Sequence, residues 1–130
     1  MAGVVVDTSV LLDFLSGIPS QSLRQAVLQG HAMLPPMVVS EAVSGEMTPE
    51  ERFALGEVLQ DVPVHPTPLG HWIDVGLLRR QLRRKGLTVT LPDAHVAQCA
   101  LDLDAVLLTR DAIFAEIARH TTLRLTSAAS

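Results

Sequence analysis

The sequence predicts an α/β fold: a mostly parallel central sheet of about four or five strands flanked by helices, in a single domain spanning residues 1–130. Two short apolar runs with β-branched residues, at 4–6 and 105–109, stand far apart in the chain. Segments with helical periodicity fill the space between them, several bounded by glycine or proline. Strands that alternate with helices pair in parallel. A chain of 130 residues can bury one core of this kind.

The first half is predicted as one strand followed by four helices. The strand at 4–6 ends at Asp7, and a helix over 10–16 follows, with Gly17 as its C-terminal cap. Short helices are predicted over 20–30 and 37–45. Thr48 begins the next helix, because Pro49 suits the first helical position and Glu51 completes a capping box. A short edge strand is expected at 62–64, where a proline disfavours a central position.

The second half is predicted as a long helix, a second helix, a strand, a short helix and a last strand. The long helix runs from about 68 to 85 and stops at Gly86, and another begins at Pro92-Asp93. The apolar run 105–109 is expected to be a central strand. A helix over 111–119 and a strand over 123–126 complete the order. Residues 127–130, SAAS, are expected to fray.

Composition indicates a cytoplasmic protein that does not enter a membrane. Cys99 is the sole cysteine, so the chain forms no internal disulfide and a reducing compartment is expected. No apolar run reaches the roughly 18–20 residues that a membrane span needs. Hydrophobic residues make up 48% of the sequence, which predicts that some apolar surface is covered by a partner or a second copy.

The charge of the chain is unevenly distributed. The net charge is −4, but residues 79–85 alone carry +5, while residues 1–78 carry −7. The basic strip consists of Arg79, Arg80, Arg83, Arg84 and Lys85. These residues share a helical face at i,i+4 spacing. Two interpretations stay open: a face that is solvated or paired with acids, and a strip that contacts the phosphates of a polyanion.

Four acids are candidates for chemistry. Asp7 ends the first strand, and Asp111 follows Thr109 at the end of the strand at 105–109. Ligands bind beyond the carboxyl ends of parallel strands, so both acids are expected there. Asp93 lies at a helix start, where the helix dipole favours a carboxylate. Glu41 stands among apolar residues, where burial needs a neutralising partner. Taken singly, each acid could equally be a turn, cap or surface residue.

A divalent cation would resolve the repulsion of four close carboxylates. Mg²⁺ or Mn²⁺ prefers oxygen ligands and keeps several waters. The chain offers no metal-type histidine spacing among His31, His65, His71 and His120, and His95 is expected to be structural. An acid cluster without a histidine set or a cysteine pair therefore favours hydrolysis of a phosphodiester by a metal-bound water over acyl transfer.

The blocks VVVDTSVLLDFLSG, VVSEAVSG, PDAHVAQCA and LLTRDAIF, in this order, resemble the PIN domain. More narrowly, they look like the VapC-type toxins of type II toxin–antitoxin pairs. The resemblance runs from Val4 to about Phe114. It implies a Mg²⁺- or Mn²⁺-dependent endoribonuclease, a homodimer, and a cognate antitoxin that blocks the site.

The resemblance also assigns roles to residues. It implies that Asp7, Glu41, Asp93 and Asp111 are the catalytic and metal-binding acids. Thr8, Ser9 and Thr109 fall where the family carries small hydroxyl residues, and they are expected to orient a carboxylate or a water. Asp102 and Asp104, in ALDLDAVLL, depart from the family pattern and are interpreted as turn residues. Arg110 is expected to pair with an acid or with a phosphate.

Two other functions stay open at this point. A phosphatase using Asp7 as nucleophile is disfavoured, because Asp7-Thr8-Ser9 lacks a second acid and the only lysine, Lys85, lies in the basic strip. A non-catalytic PIN-like module that binds RNA or protein is the second alternative. Such a module would be expected to have lost one of the four acids, and all four are present.

Overall fold

The computed structural model describes residues 3–127, and within them the fold is α/β around a parallel sheet, as predicted. The sheet has four strands in the order β2-β1-β3-β4. Every neighbouring pair runs parallel. The strands are β1 (Val4–Val6), β2 (Ala32–Met33), β3 (Val106–Thr109) and β4 (Arg124–Ser127).

Seven helices flank this sheet in the described part of the chain. They are α1 (Thr8–Leu15), α2 (Gln21–Leu28), α3 (Pro36–Ser44), α4 (Pro49–Asp61), α5 (Leu69–Arg84), α6 (Leu91–Leu103) and α7 (Ile113–Ala118). None of these helices combines the length and the apolar character that crossing a membrane would require.

The register of the two central strands positions the carboxyl edge of the sheet. Val6 of β1 pairs with Leu108 of β3, and the Asp7 backbone N–H donates to the Leu108 carbonyl at 3.0 Å. The next residues along each strand, Asp7 and Thr109, therefore leave the sheet side by side. The sequence prediction that two strand ends meet at one edge is confirmed for this pair.

The core lies between the sheet and helices on its two faces. Val5, Leu107 and Leu108 on the central strands are fully buried, as are Phe114 and Ile117 on α7. Helix α6 turns most of its surface inward, which explains why it carries so many small apolar residues. This rigid central packing holds the strand ends and the start of α6 in fixed relative positions.

Helix starts follow the capping chemistry of the sequence. The capping box at Thr48 is confirmed, and hydrogen bonds from Thr48, first from its backbone, lower the pKa of Glu51. Helix α6 begins at Leu91, two residues before Asp93, because the hydroxyl of Thr90 caps it by accepting from the Asp93 N–H at 3.3 Å. Asp93 is thus in the first turn of α6.

The edges of the sheet differ from the prediction. The expected strand at 62–64 is wrong: Val64 makes a single isolated bridge to Leu34, and its neighbour Pro63 cannot donate to a ladder. Strand β2 was not predicted, since two residues carry no periodicity. Residues 127–130 were expected to fray. Ser127 instead belongs to β4, and residues 128–130 lie outside the described chain.

Candidate active site

Asp7 lies at the base of the site and is held by two hydroxyl groups. Its side chain is buried, and its Oδ2 accepts from Ser9 Oγ at 3.0 Å and from Thr109 Oγ1 at 2.7 Å. Within residues 3–127 both hydroxyls meet the same oxygen, which leaves Oδ1 for a ligand. Asp7 is also the N-cap residue of α1, but its carboxylate makes no cap bond to the helix backbone.

Asp111 is positioned by the same hydroxyl that holds Asp7. The Asp111 N–H donates to Thr109 Oγ1 at 2.9 Å, and Asp111 Oδ1 accepts from the Ile113 N–H at 3.2 Å. Thr109 therefore donates to one acid and accepts from the backbone of the other. Asp111 itself is exposed, as a residue that meets a ligand from solvent must be.

Glu41 reaches the site from α3. Its side chain is exposed, contrary to the expectation that it is enclosed by its apolar sequence neighbours. It is fixed by a hydrogen bond of 2.7 Å from Thr8 Oγ1 to Glu41 Oε1. Because Thr8 directly follows Asp7, this bond ties the glutamate to the first acid.

Asp93 completes the group from the first turn of α6. Its pKa is raised: burial is the largest cause, and the negative charges of the other three acids add to it. A charge interaction of this kind requires that Asp7, Glu41 and Asp111 lie near Asp93. Four acids from two helices and two strand ends are thus gathered at one edge of the sheet.

The donor set fits a hard divalent cation. Carboxylates and hydroxyls are the ligands that Mg²⁺ and Mn²⁺ prefer, and Mg²⁺ typically takes one or two carboxylates while keeping several waters. An open arrangement with exposed acids suits such a partly hydrated ion. Asp7, Asp93 and Asp111 would hold the ion, with Glu41 at the side of the site.

The sequence also matches a known protein family. The sequence model of the PIN domain matches residues 4–120. The chain belongs to the PIN domain family. No curated protein matches the chain in sequence.

Solved structures share the same PIN fold. A chain of VapBC2 from Rickettsia felis, bound to a promoter DNA fragment, superposes with a TM-score of 0.79 at 18% identity, covering 95% of this chain and 97% of that one. DNA-bound VapBC from Salmonella typhimurium gives 0.79 at 21% identity, with 98% of each chain covered. VapBC-1 from nontypeable Haemophilus influenzae gives 0.75 at 17% identity, again with 98% of each chain covered.

Arg110 sits at the rim of the PIN site and has an acid partner. Its Nε lies 2.8 Å from Asp13 Oδ2, and its backbone N–H donates to Ser9 Oγ at 3.2 Å. Of the two expectations for this side chain, pairing with an acid is the one observed. The pair also holds Asp13 of α1 at this rim.

The basic strip is split by the fold. Arg79 Nε donates to the Val89 carbonyl at 2.9 Å, so this side chain braces the turn between α5 and α6 instead of facing a ligand. Arg84 and Lys85 line a depression with His120 and Thr121. Arg80 and Arg83 are exposed. An RNA role for the strip stays a prediction.

The PIN domain contains a second polar cluster that the sequence analysis missed. Asp102 is a residue of α6 and not of a turn, and it accepts from His71 Nδ1 at 2.6 Å and from Gln98 Nε2 at 2.8 Å. His95 lies beside it on the same helix and contacts His71 Nε2 at 2.8 Å. A signal was available: residues 95, 99 and 102 fall on one helical stripe that is otherwise apolar. Asp104, by contrast, caps α6 in a left-handed conformation and is a turn residue as expected.

Proposed function

We propose that the chain is a Mg²⁺- or Mn²⁺-dependent endoribonuclease toxin of the VapC type. The observation that supports this best is the convergence of Asp7, Glu41, Asp93 and Asp111, expressed in the raised pKa of Asp93. Four carboxylates this close repel one another, and a bound cation would offset that repulsion. PIN family membership makes a nuclease the natural activity for such a site.

Each acid has a role that follows from its environment. Asp7 is rigid and buried, with one oxygen occupied by hydroxyls, so it serves as the fixed ligand. Asp93 and Asp111 complete the site from α6 and the end of β3. A bound Mg²⁺ or Mn²⁺ would supply a more acidic water and neutralise charge that develops on the phosphate. Glu41, oriented by Thr8, is placed to orient or deprotonate the attacking water.

Hydrolysis of this type gives a 5′-phosphate and a 3′-hydroxyl. The nucleophile is water, so the strand breaks with the 3′ oxygen as leaving group. No nucleophile–base pair is needed, which separates this proposal from a phosphatase that forms an intermediate on Asp7. Within the described chain, Arg80, Arg83 and Arg84 are exposed and lack the structural bond that engages Arg79, and they are the members of the strip best placed to contact RNA phosphates.

The partners would be a cognate antitoxin and a second copy of the chain, in the cytoplasm. Exposed apolar surface supports both. An apolar cavity of about 420 Å³ is lined by residues including Phe14, Leu28 and Phe53, of which the last two are 78% and 71% exposed. A concave apolar site suits a segment of another protein. Leu69 and Ile73 begin an exposed apolar stripe on α5 that suits a second copy.

The test is cleavage of structured RNA by purified protein freed of antitoxin. We expect cleavage with Mg²⁺ or Mn²⁺, its loss on chelation, its return when Mn²⁺ is restored, and products with 5′-phosphate ends. Cleavage that continues under chelation would contradict the metal-dependent mechanism. Binding of RNA or antitoxin without cleavage of any RNA, in the metal-loaded protein, would favour a non-catalytic PIN module.

A further inference from the structure

A second group of metal-binding side chains lies inside the molecule, apart from the acids. His65 comes from the segment between α4 and α5, His71 from α5 and Cys99 from α6. One nitrogen of each imidazole and the Cys99 sulfur lie within 4.8 Å of one another. All three residues are buried. Nitrogen and thiolate donors differ in kind from the carboxylates of the acidic site.

Hydrogen bonds fix the state of the neighbouring imidazoles. Asp102 is ionised and can only accept, so His71 donates to it from Nδ1 at 2.6 Å. His95 Nε2 accepts from the Met37 N–H at 3.5 Å, so neutral His95 donates from Nδ1 to His71 Nε2 at 2.8 Å. His95 Nε2 in turn faces the Cys99 thiol at 3.8 Å. Each ring nitrogen of His71 and His95 therefore has a partner when both imidazoles are neutral.

His65 is the exception in this group. Both of its ring nitrogens are buried, and neither has a hydrogen-bond partner among residues 3–127. Its Nε2 lies 3.5 Å from Asp102 Oδ2, at the limit of a useful contact. Its backbone is held in place, since the His65 N–H donates to the Leu34 carbonyl at 2.8 Å. A fixed, buried imidazole in this condition is an uncommon feature that a bound ion would explain.

We propose that His65, His71 and Cys99 form a binding site for Zn²⁺. Zinc–ligand bonds of about 2.0–2.3 Å in tetrahedral geometry place such donors roughly 3.3–3.6 Å apart. The present atoms are within 4.8 Å, so closing the site needs movements of about 1 Å, within the range of side-chain rotation. Asp102 accepts from His71 Nδ1, as a carboxylate that supports a metal-bound histidine commonly does. The ion would therefore bind His71 Nε2 and replace the hydrogen bond that His95 donates there.

The site would act as a structural cross-link. It joins the segment that follows α4 to α5 and α6, and α6 carries Asp93 in its first turn. A protein with one cysteine has no disulfide for this purpose. Because a zinc ion bound only by the folded chain stabilises it, the melting temperature should rise with added Zn²⁺. This inference does not depend on the nuclease proposal, since it concerns other residues and another class of ion.

Cobalt binding tests the site, because Co²⁺ bound to a thiolate gives a near-ultraviolet charge-transfer band. Cys99 is the only thiol, so the band can come from no other residue. We expect one equivalent of Co²⁺ to produce it in the full chain with Mg²⁺ present, and Zn²⁺ to bleach it. His65→Gln should abolish the band while the protein stays folded, since the His65 ring makes no hydrogen bond to the described part of the chain.

Matched variants separate this site from the acidic one. His120→Gln, which removes a histidine outside the group, and Asp7→Asn should both keep the band. Absence of the band at millimolar Co²⁺, or its persistence at full strength in His65→Gln, would overturn the proposal. A rise in melting temperature with Zn²⁺ that is as large in His65→Gln as in the wild type would overturn it as well.

Discussion

Helix α6 serves two polar regions that follow opposite rules. At its first turn, Asp93 lies near three other acids in an open site, and their like charges raise its pKa after burial. Further along, His95 and Asp102 each hydrogen-bond to His71 of α5. The first region has no cationic partner for Asp93 among the described residues, which suits a site that binds a cation. The second region uses its polar atoms to hold α5 and α6 together.

The directions of the pKa shifts express this difference. Burial, then like charges, raises the pKa of Asp93. Burial also acts to raise the pKa of Asp102, yet hydrogen bonds from Gln98 and His71 outweigh it and the pKa is lowered. Burial, with a smaller effect of Asp102, raises the pKa of the Cys99 thiol to about 12. Hydrogen-bond donors thus favour the ionised form of Asp102, whereas burial and like charges disfavour the ionised form of Asp93.

The largest predicted effect on stability is the loss caused by His95 at acid pH. Burial, and then the neighbouring His71 and His65, lower its pKa from 6.5 to about 4. Between pH 6.5 and about pH 4, His95 is therefore protonated in the unfolded chain but neutral in the folded chain. Stability contributed by neutral His95 is complete above pH 6.5 and is lost as pH falls toward 4. From about pH 7 to pH 4.5 the loss should be on the order of 2 kcal/mol.

Urea unfolding of His95→Gln at both pH values checks this. The variant should be less stable at neutral pH, because His71 loses its donor, but it should lack the acid-dependent loss. Asp93, whose raised pKa has the opposite effect on stability, is present in both proteins and cancels in the comparison. His120→Gln is the control and should keep the full loss. Equal pH dependence in His95→Gln and wild type would contradict the assignment.

A smaller effect of opposite sign is expected in the acidic region. The raised pKa of Asp93 means that its ionised form destabilises the metal-free fold at neutral pH. The N-terminal dipole of α6 favours the charge, but burial and repulsion outweigh it. Asp93→Asn should therefore raise the melting temperature in chelator by a few degrees, which corresponds to less than about 1 kcal/mol.

Melting in Mn²⁺ completes that comparison. Wild type should gain stability from the ion, and Asp93→Asn should gain less, so the difference between the two proteins narrows or reverses. Asp104→Asn removes an acid whose side chain is 97% exposed and serves as the control. A melting temperature of Asp93→Asn in chelator that falls below that of Asp104→Asn would show that Asp93 stabilises the free protein.

The smallest effect is expected from the basic strip, and it concerns RNA binding. Arg80→Ala with Arg84→Ala should weaken RNA binding and reduce its salt dependence, by a slope of about 0.7–0.9 for each phosphate that the protein no longer neutralises. Binding would be measured on an Asp7→Asn background so that the RNA stays intact. Arg24→Ala with Arg119→Ala removes the same charge elsewhere. Equal salt slopes for the two double variants would favour a solvated strip.

The place of Asp7 and Asp111 in the fold could be predicted from the sequence because the signals are local. Asp7 directly follows β1 and Asp111 lies two residues after β3, and a parallel sheet brings such strand ends to one edge. Glu41 was assigned by family resemblance and by its apolar neighbours, and the second of these reasons was wrong because its side chain is exposed.

The histidine group escaped prediction because its members come from three elements. His65 and His71 have no sequence spacing typical of a metal site, and His95 was expected to be a structural, hydrogen-bonded histidine and not a ligand. Their contacts depend on how α5 packs against α6, which periodicity does not specify. Strand β2 at the edge of the sheet was not predicted for a similar reason, because it has two residues and is defined by its pairing with β1.

An active site built on the four acids is tested most directly by the rate at which Asp7→Asn cleaves RNA in Mg²⁺, compared with wild type and Asp104→Asn. The substitution keeps the size and the two hydroxyl contacts of Asp7 but removes its charge. We expect kcat/KM to fall by at least about 100-fold, equivalent to about 2.7 kcal/mol of transition-state stabilisation, while Asp104→Asn matches wild type. Cleavage by Asp7→Asn at the wild-type rate would contradict an active site built on the four acids.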